Sequence, residues 1–242
     1  MALVWDYVAL ETRRTLRDTG FVIFGIGMPV LMYLLFTNIG DGADARWKTA
    51  SMVGMAAYGA MGAAMSAGTG VAEDKALGWL RQLRITPMTP AQVVVGRALT
   101  ASVVVLPAIL AVLAVGGLLG GIRLAAWQWG LLAALLWLGS LPFTLLGLGN
   151  GYRLSAQSTG VVNVGCNLGL SILGGLWFPT QFFPGWLQGI ATYTPTKAIS
   201  ELGTSTGLGG APGLLSLTVL TGWLLAFGSY AVLSYRKAAR TA

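Results

Sequence analysis

The chain contains no histidine and a single cysteine, Cys166. Without histidine it cannot form a Ser-His catalytic pair, an HExxH zinc site or a histidine general base. One cysteine cannot form an internal disulfide or a thiolate metal site. These absences exclude most hydrolase classes, and we expect no metal, cofactor or catalytic residue in this chain.

Charge is also scarce. Only 10% of the 242 residues are charged, 55% are hydrophobic, and the mean hydropathy is +0.71. A soluble domain carries about 25% charged residues. The apolar runs are continuous over about 20 residues rather than alternating over about 10, which favours membrane helices over a β-barrel. We therefore predict an all-α integral membrane protein with a single transmembrane domain over residues 1–242.

Six apolar segments are long enough to cross about 30 Å of hydrocarbon. The predicted spans cover residues 20–38, 50–70, 98–120, 127–150, 159–178 and 213–235. Prolines interrupt three of them, at Pro29, Pro107 and Pro142. Each proline removes a backbone hydrogen bond and permits a kink.

Lys and Arg orient these spans, because cytoplasmic segments are enriched in both. If both termini are cytoplasmic, eleven of these residues lie inside and four outside, the four being Arg46, Lys48, Arg123 and Lys197. The net charge of +7 therefore indicates membrane topology rather than nucleic-acid binding. We predict a multi-pass protein of the inner or plasma membrane with both termini in the cytoplasm.

Residues 1–19 are polar over a helix length and lack the features of a signal peptide. Leu3, Val4, Tyr7 and Val8 share one side at helical spacing, although Trp5 departs from the pattern. We expect an interfacial helix on the inner leaflet. The alternative is a plain cytoplasmic extension.

The charged segment between the second and third spans is EDKALGWLRQLRITPMTPAQVVVGR, residues Glu73–Arg97. Its apolar ridge is framed by charges, as in a helix that docks into a groove. The residues of this predicted docking site are Glu73, Asp74, Lys75, Ala76, Leu77, Leu80, Arg81, Leu83 and Arg84. Pro87 should end one helix, and Pro90 should lie in the first turn of the next. The alternative is a solvated cytoplasmic loop.

Polar side chains share one face of the fifth span, at Asn163, Asn167 and Ser171. Asparagine is costly in lipid, so this face should line a pathway or form a hydrogen-bonded dimer seam. Both interpretations stay open. In the second span, Tyr58, Met61 and Met65 could contact an apolar substrate or simply pack.

Residues 179–212, between the fifth and sixth spans, combine helix-breaking prolines with aromatic side chains. This composition favours short helices that enter the outer leaflet and return. The residues that support this extracellular re-entrant segment are Pro179, Phe182, Phe183, Pro184, Trp186 and Pro195. Lys197 and Glu201 are spaced to pair on one short helix.

The order of these features resembles the membrane subunit of a type-2 ATP-binding-cassette exporter. The matching pieces are Glu73–Arg97 and WFPTQFFPGWLQGIATYTP at Trp177–Pro195, and the resemblance covers nearly the whole chain. Its subgroup is similar to small bacterial permeases that export drugs and antibiotics. The resemblance implies an interfacial N-terminal helix, a cytoplasmic coupling helix and outer re-entrant helices before the last span.

The same resemblance implies two permease copies, expected to form a homodimer in membrane lipid, and two copies of a separate ATPase. The coupling helix would sit in a cleft of the ATPase. The chain has no G-x-x-x-x-G-K-[ST] phosphate loop. We therefore expect ATP and Mg²⁺ to bind to the partner, and the chain to be a transport subunit rather than an enzyme.

The expected cargo is a small amphipathic or hydrophobic compound such as a drug, natural product or lipid, exported by alternating access. The same fold could instead export a lipid-linked polysaccharide. An ATP-independent membrane scaffold or immunity protein is a further alternative, and it would need no ATPase. A lipid-modifying enzyme is disfavoured, since only Glu73 and Asp74 lie together without a third acid nearby.

Overall fold

In a computed structural model, the protein is described at residue 13 and over residues 17–38, 44–77 and 90–241. These residues contain helices and no strand. Helix α1 covers Phe21–Asn38, α2 covers Ala45–Ala76 and α3 covers Pro90–Leu118. The remaining helices are α4 (Ala126–Gly139), α5 (Leu141–Arg153), α6 (Ala156–Leu173), α7 (Gly185–Thr192), α8 (Pro195–Gly207) and α9 (Leu214–Thr241).

Four helical stretches in the described ranges are long and apolar enough to cross a membrane. They are Phe21–Asn38, Gln92–Leu118, Ala126–Arg153 and Leu214–Arg240. The all-α membrane class is therefore confirmed. The predicted spans at 50–70 and 159–178 fall on α2 and α6, which are rich in glycine, alanine and polar residues. The full six-span topology stays a prediction.

Helix α2 lies at the centre of the bundle. Every residue from Ser51 to Met65 except Tyr58 and Gly62 is buried. It packs against α1, α3, α5, α6 and α8. Helix α9 packs mainly on α5 and α8, and many apolar side chains of α1 and α9 stay exposed on the outside of the bundle.

Glycine lets α2 and α5 approach until their backbones touch. A Cβ atom on Gly68 would meet the carbonyl of Gly147, and one on Gly151 would meet the carbonyl of Gly68. The spacing Gly147-x-x-x-Gly151 is the small-residue pattern of close membrane-helix pairs. Gly116, near the end of α3, also allows close packing, since a Cβ atom there would meet the side chain of Met52.

Two prolines change the winding as their chemistry requires. A π-helical stretch, Phe21–Gly27, precedes Pro29, whose ring would clash with the carbonyl of residue 25 in a regular α-helix. The predicted span 127–150 is interrupted at Ser140, because Pro142 has no amide for the carbonyl of residue 138. Pro107 lies inside α3 without ending it.

The predicted fifth span is too long at its end. Helix α6 stops at Leu173, five residues before the expected boundary at Phe178. Gly175 has a φ of +71°, a left-handed conformation that ends a helix and that favours glycine. Conversely, α2 runs past residue 70 to Ala76, so the first residues of the charged segment continue this helix.

Candidate functional site

The charged segment Glu73–Arg97 begins in the last turn of α2 and ends in the second turn of α3. Helix α3 begins at Pro90, which confirms the predicted helix start at that proline. Glu73, Ala76 and Leu77 are exposed, and Leu77 is 86% exposed. The predicted docking residues Leu80, Arg81, Leu83 and Arg84 lie outside the described residues, as does most of the predicted interfacial helix 1–19.

Lys75 points back into the protein. Its ammonium Nζ donates to the carbonyl oxygens of Gly151, Tyr152 and Leu154 at 3.1, 3.0 and 2.6 Å. These carbonyls form the C-terminal end of α5, where the helix dipole favours a positive charge. Burial lowers the pKa of Lys75 from its ordinary value. Lys75 therefore joins the end of α2 to the end of α5.

Asp74 makes a second connection at the same place. Its Oδ2 accepts a hydrogen bond from Arg97 Nη2 at 2.6 Å, and the two residues form an ion pair. Arg97 lies two turns into α3, so the pair ties α2 to α3. The ends of α2 and α3 that flank residues 78–89 are therefore joined directly to each other.

A compact apolar cluster lies behind these polar contacts. It is formed by α2, α3, α5 and α9, with Tyr152 and Tyr235 packed edge to face at a centroid distance of 5.2 Å. The buried members are Val71, Val93, Val94, Ala98, Leu148, Tyr152, Ala231, Tyr235 and Ala238. The cluster and the two polar links make this end of the bundle one packed unit.

Asn163, which was predicted to line a pathway or a dimer seam, is 5% exposed within the single chain. Its Nδ2 donates to the carbonyl oxygen of Met65 at 2.8 Å, and its Oδ1 accepts from Asn150 Nδ2 at 2.8 Å. Asn150 Oδ1 in turn accepts from the hydroxyl of Tyr230 at 2.9 Å. This amide network joins α2, α5, α6 and α9.

The other two predicted polar residues of α6, Asn167 and Ser171, also face α2 or their own helix. Asn167 Nδ2 lies beside Gly62, and Ser171 Oγ donates to the carbonyl of Asn167 at 2.5 Å. The opposite side of α6 is apolar and exposed, with Val161 at 71% and Val164 at 59% exposure. Pathway lining and dimer contact both stay predictions for the polar face.

The aromatic and methionine residues predicted in the second span differ in exposure. Met61 and Met65 are each 1% exposed and belong to the core. Tyr58 is half-buried and packs edge to face on Trp177, with ring centroids 5.4 Å apart. Of the three, Tyr58 alone offers surface to a ligand in the single chain.

Residues 179–212 fold into the expected short helices. A 3₁₀ turn, Thr180–Phe182, precedes α7, and Pro195 opens α8. Phe182 is 82% exposed and Trp186 is 71% exposed, as aromatic side chains at a membrane surface would be. Lys197 Nζ and Glu201 Oε1 are 3.4 Å apart, which confirms the predicted pair. The placement of Pro179, Phe183 and Pro184 in a re-entrant segment stays a prediction.

The sequence did not indicate that the side chains of Asp74 and Lys75 contact the helix bundle. Both residues were predicted, with their neighbours, to belong to a docking surface. No sequence signal names Lys75 as the partner of α5, because the partner carbonyls are backbone atoms. The Asn150–Asn163 contact did have a signal, since two asparagines in neighbouring apolar helices are costly unless they bond to each other.

The chain is similar to known membrane transport proteins. Residues 3–208 match the family described as ABC-2 type transporter. The chain is also 26% identical over 222 residues to YvfS of Bacillus subtilis (strain 168), which is named as a candidate transport permease. That match covers 90% of this chain and 90% of the relative.

Proposed function

Because the chain belongs to the ABC-2 type transporter family, we propose that it is the permease subunit of an exporter driven by a separate ATPase. The observation that carries the proposal is the reinforced base of the charged segment. An ATPase that moves residues 78–89 can move the membrane helices only if these residues are firmly connected to them. The Asp74–Arg97 pair and the Lys75 contacts provide it.

We infer that residues Glu73–Arg84 form the coupling element. Some of these residues contact the ATPase, and others anchor the element to the helix bundle. Leu80 and Leu83 supply the apolar ridge that enters the ATPase cleft, with Arg81 and Arg84 beside it. Ala76 and Leu77 are exposed and extend that surface. Asp74 and Lys75 hold the element to the bundle.

The proposed assembly has two permease copies and two ATPase copies, with ATP and Mg²⁺ bound to the ATPases. The second permease is proposed to be an identical chain in the inner or plasma membrane. Closure of the ATPases on ATP would tilt the helices and open the pathway outward. The proposed cargo is a small amphipathic or hydrophobic compound, since the spans carry few ionisable groups for coupling to ions.

The test is purification from native membranes in a gentle detergent, scored for a co-purifying ATPase and for ATP hydrolysis. The variant Leu80→Asp should abolish co-purification, because it places a charge in the apolar ridge. The matched control Leu80→Met keeps volume and polarity class and should retain the partner. Both variants should insert into the membrane normally.

Retention of the ATPase by Leu80→Asp would overturn the assignment of the coupling element. If even the wild-type chain binds no ATPase, the proposed function fails, and an ATP-independent membrane protein becomes the better interpretation.

A further inference from the structure

A cavity of about 570 Å³ lies at the end of the bundle opposite Lys75. It is open to the surface and bounded by the first turns of α2, the connection from α3 to α4, and the end of α8. It is lined by Ala45, Arg46, Lys48, Thr49, Gly120, Gly121, Ile122, Arg123, Leu124, Gln128, Gly207, Leu208 and Gly209. These segments are far apart in sequence, so the fold builds the cavity.

The charge of the described lining residues is entirely positive. Arg46, Lys48 and Arg123 are the ionisable ones, and no acidic side chain is among the lining residues that the structure describes. The structure pairs none of these three cations with a carboxylate among the residues it describes. Asp44, the described acid nearest in sequence, accepts a hydrogen bond from the backbone of Arg46. Three cations around one cavity attract an anion.

One further feature favours an anionic ligand. Helix α4 begins at the cavity, and helix N-termini favour negative charge. The N-terminus of α2 also lies at the cavity, but there the Asp44 side chain already accepts the hydrogen bond from the Arg46 amide.

The surroundings of the cavity are those of the membrane–water boundary. Leu118 and Leu119, which directly precede the lining residue Gly120, are 83% and 72% exposed. Trp127, which directly precedes Gln128, is 62% exposed. Exposed tryptophan beside exposed leucine is typical of the level of lipid headgroups. The volume also exceeds what a lone phosphate ion would fill.

We propose that this cavity binds the phosphate group of an anionic phospholipid, held by Arg46, Lys48 and Arg123. The planar guanidinium group of arginine can donate two parallel hydrogen bonds to phosphate oxygens, and the lysine ammonium adds a compact positive charge. The apolar side chains Ile122, Leu124 and Leu208 would contact the carbon skeleton of the same lipid. The site is new relative to the transport function proposed above and does not depend on it.

The experiment measures binding of short-chain phosphatidylglycerol to the full-length protein in detergent by native mass spectrometry. Short-chain phosphatidylcholine and inorganic phosphate are tested in parallel. Arg123→Gln should weaken phosphatidylglycerol binding about fivefold, which is the upper range for one exposed ion contact. Lys197→Gln is the matched control, because it removes one charge from the same predicted side outside the cavity. Thermal unfolding checks that each variant is folded.

Preference for phosphatidylglycerol that Arg123→Gln reduces and Lys197→Gln does not would support the lipid site. If inorganic phosphate competes with the lipid and shows the same dependence on Arg123, the cavity binds phosphate from solution as well. Equal affinity for phosphatidylglycerol and phosphatidylcholine would overturn the proposal. So would equal weakening by the two variants.

Discussion

Gly68 and Gly70 lie two residues apart on α2, yet only Gly68 faces another backbone. A Cβ atom on Gly68 would meet the carbonyl of Gly147, whereas one on Gly70 would have no neighbour within 4 Å. Alanine is the better helix former at both positions by about 1 kcal/mol. Comparing alanine substitutions at the two sites therefore distinguishes the effect of close packing from the effect of helix propensity.

We expect Gly68→Ala to destabilise the protein by about 1–3 kcal/mol, because backbone atoms cannot move aside as a side-chain tip can. Gly70→Ala should leave the stability unchanged or slightly increase it. The midpoint of thermal unfolding in detergent measures both effects. Equal midpoints for the two variants would contradict the close contact between α2 and α5.

At the scale of single residues, the amide network is a second test case. Tyr230→Phe removes one hydroxyl, and with it the hydrogen bond to Asn150, without changing the ring. Asn163→Leu removes two bonds, one to the Met65 carbonyl and one from the Asn150 amide, and leaves the buried Asn150 amide without this acceptor. We expect losses of about 1 kcal/mol and about 2–3 kcal/mol, respectively.

Chemical or thermal unfolding of both variants would rank these losses. Tyr193→Phe is the matched control, because Tyr193 is 64% exposed and its ring lies outside the network. A Tyr193→Phe effect as large as that of Tyr230→Phe would show that the network adds no specific stability.

Among the helices, the contact between Lys75 and α5 carries the clearest prediction. Lys75→Met keeps the length of the side chain but loses three charged hydrogen bonds to the last turn of α5. We expect that turn to fray, with faster amide hydrogen exchange in residues 147–154 and a stability loss of about 1–2 kcal/mol.

Lys75→Arg should largely restore the protection, because a guanidinium also donates to carbonyls. If Lys75→Met leaves hydrogen exchange in residues 147–154 unchanged, the lysine does not hold the end of α5. Membrane insertion and the co-purification of an ATPase serve as separate readouts, so a failure of the proposed function would not obscure the result.

Helix positions follow from the sequence better than helix partners do. Apolar length predicts α1, α3 and α9, and proline chemistry explains the start of α3 and the break at Ser140. The exact end of α6 could not be read from hydropathy, because it is set by the conformation of Gly175. An apolar run indicates that a segment lies in lipid, but it does not indicate the residue at which the backbone turns and the helix ends.

The candidate site was only partly predictable for a related reason. Charge and spacing predicted a charged loop over Glu73–Arg97, but its first residues continue α2 and its last residues belong to α3. They could not divide it into outward and inward residues, because Asp74 and Lys75 are held by Arg97 and by backbone carbonyls far away in sequence. The polar face of α6 was predicted to line a pathway or a dimer seam, and Asn163 on that face bonds to other helices of the same chain.

For the whole molecule, the unbroken length of α2 has a mechanical consequence. Its 32 residues contain no proline, and the helix extends about 44 Å from the cationic cavity at Arg46 to the α5 contact at Lys75. Such a rod acts as a lever arm. If the helix pivots by about 5° about its Lys75 end, the Arg46 end moves by about 4 Å, which is more than the length of a hydrogen bond. The mouth of the cavity would thus change shape whenever the opposite end of the protein is pulled.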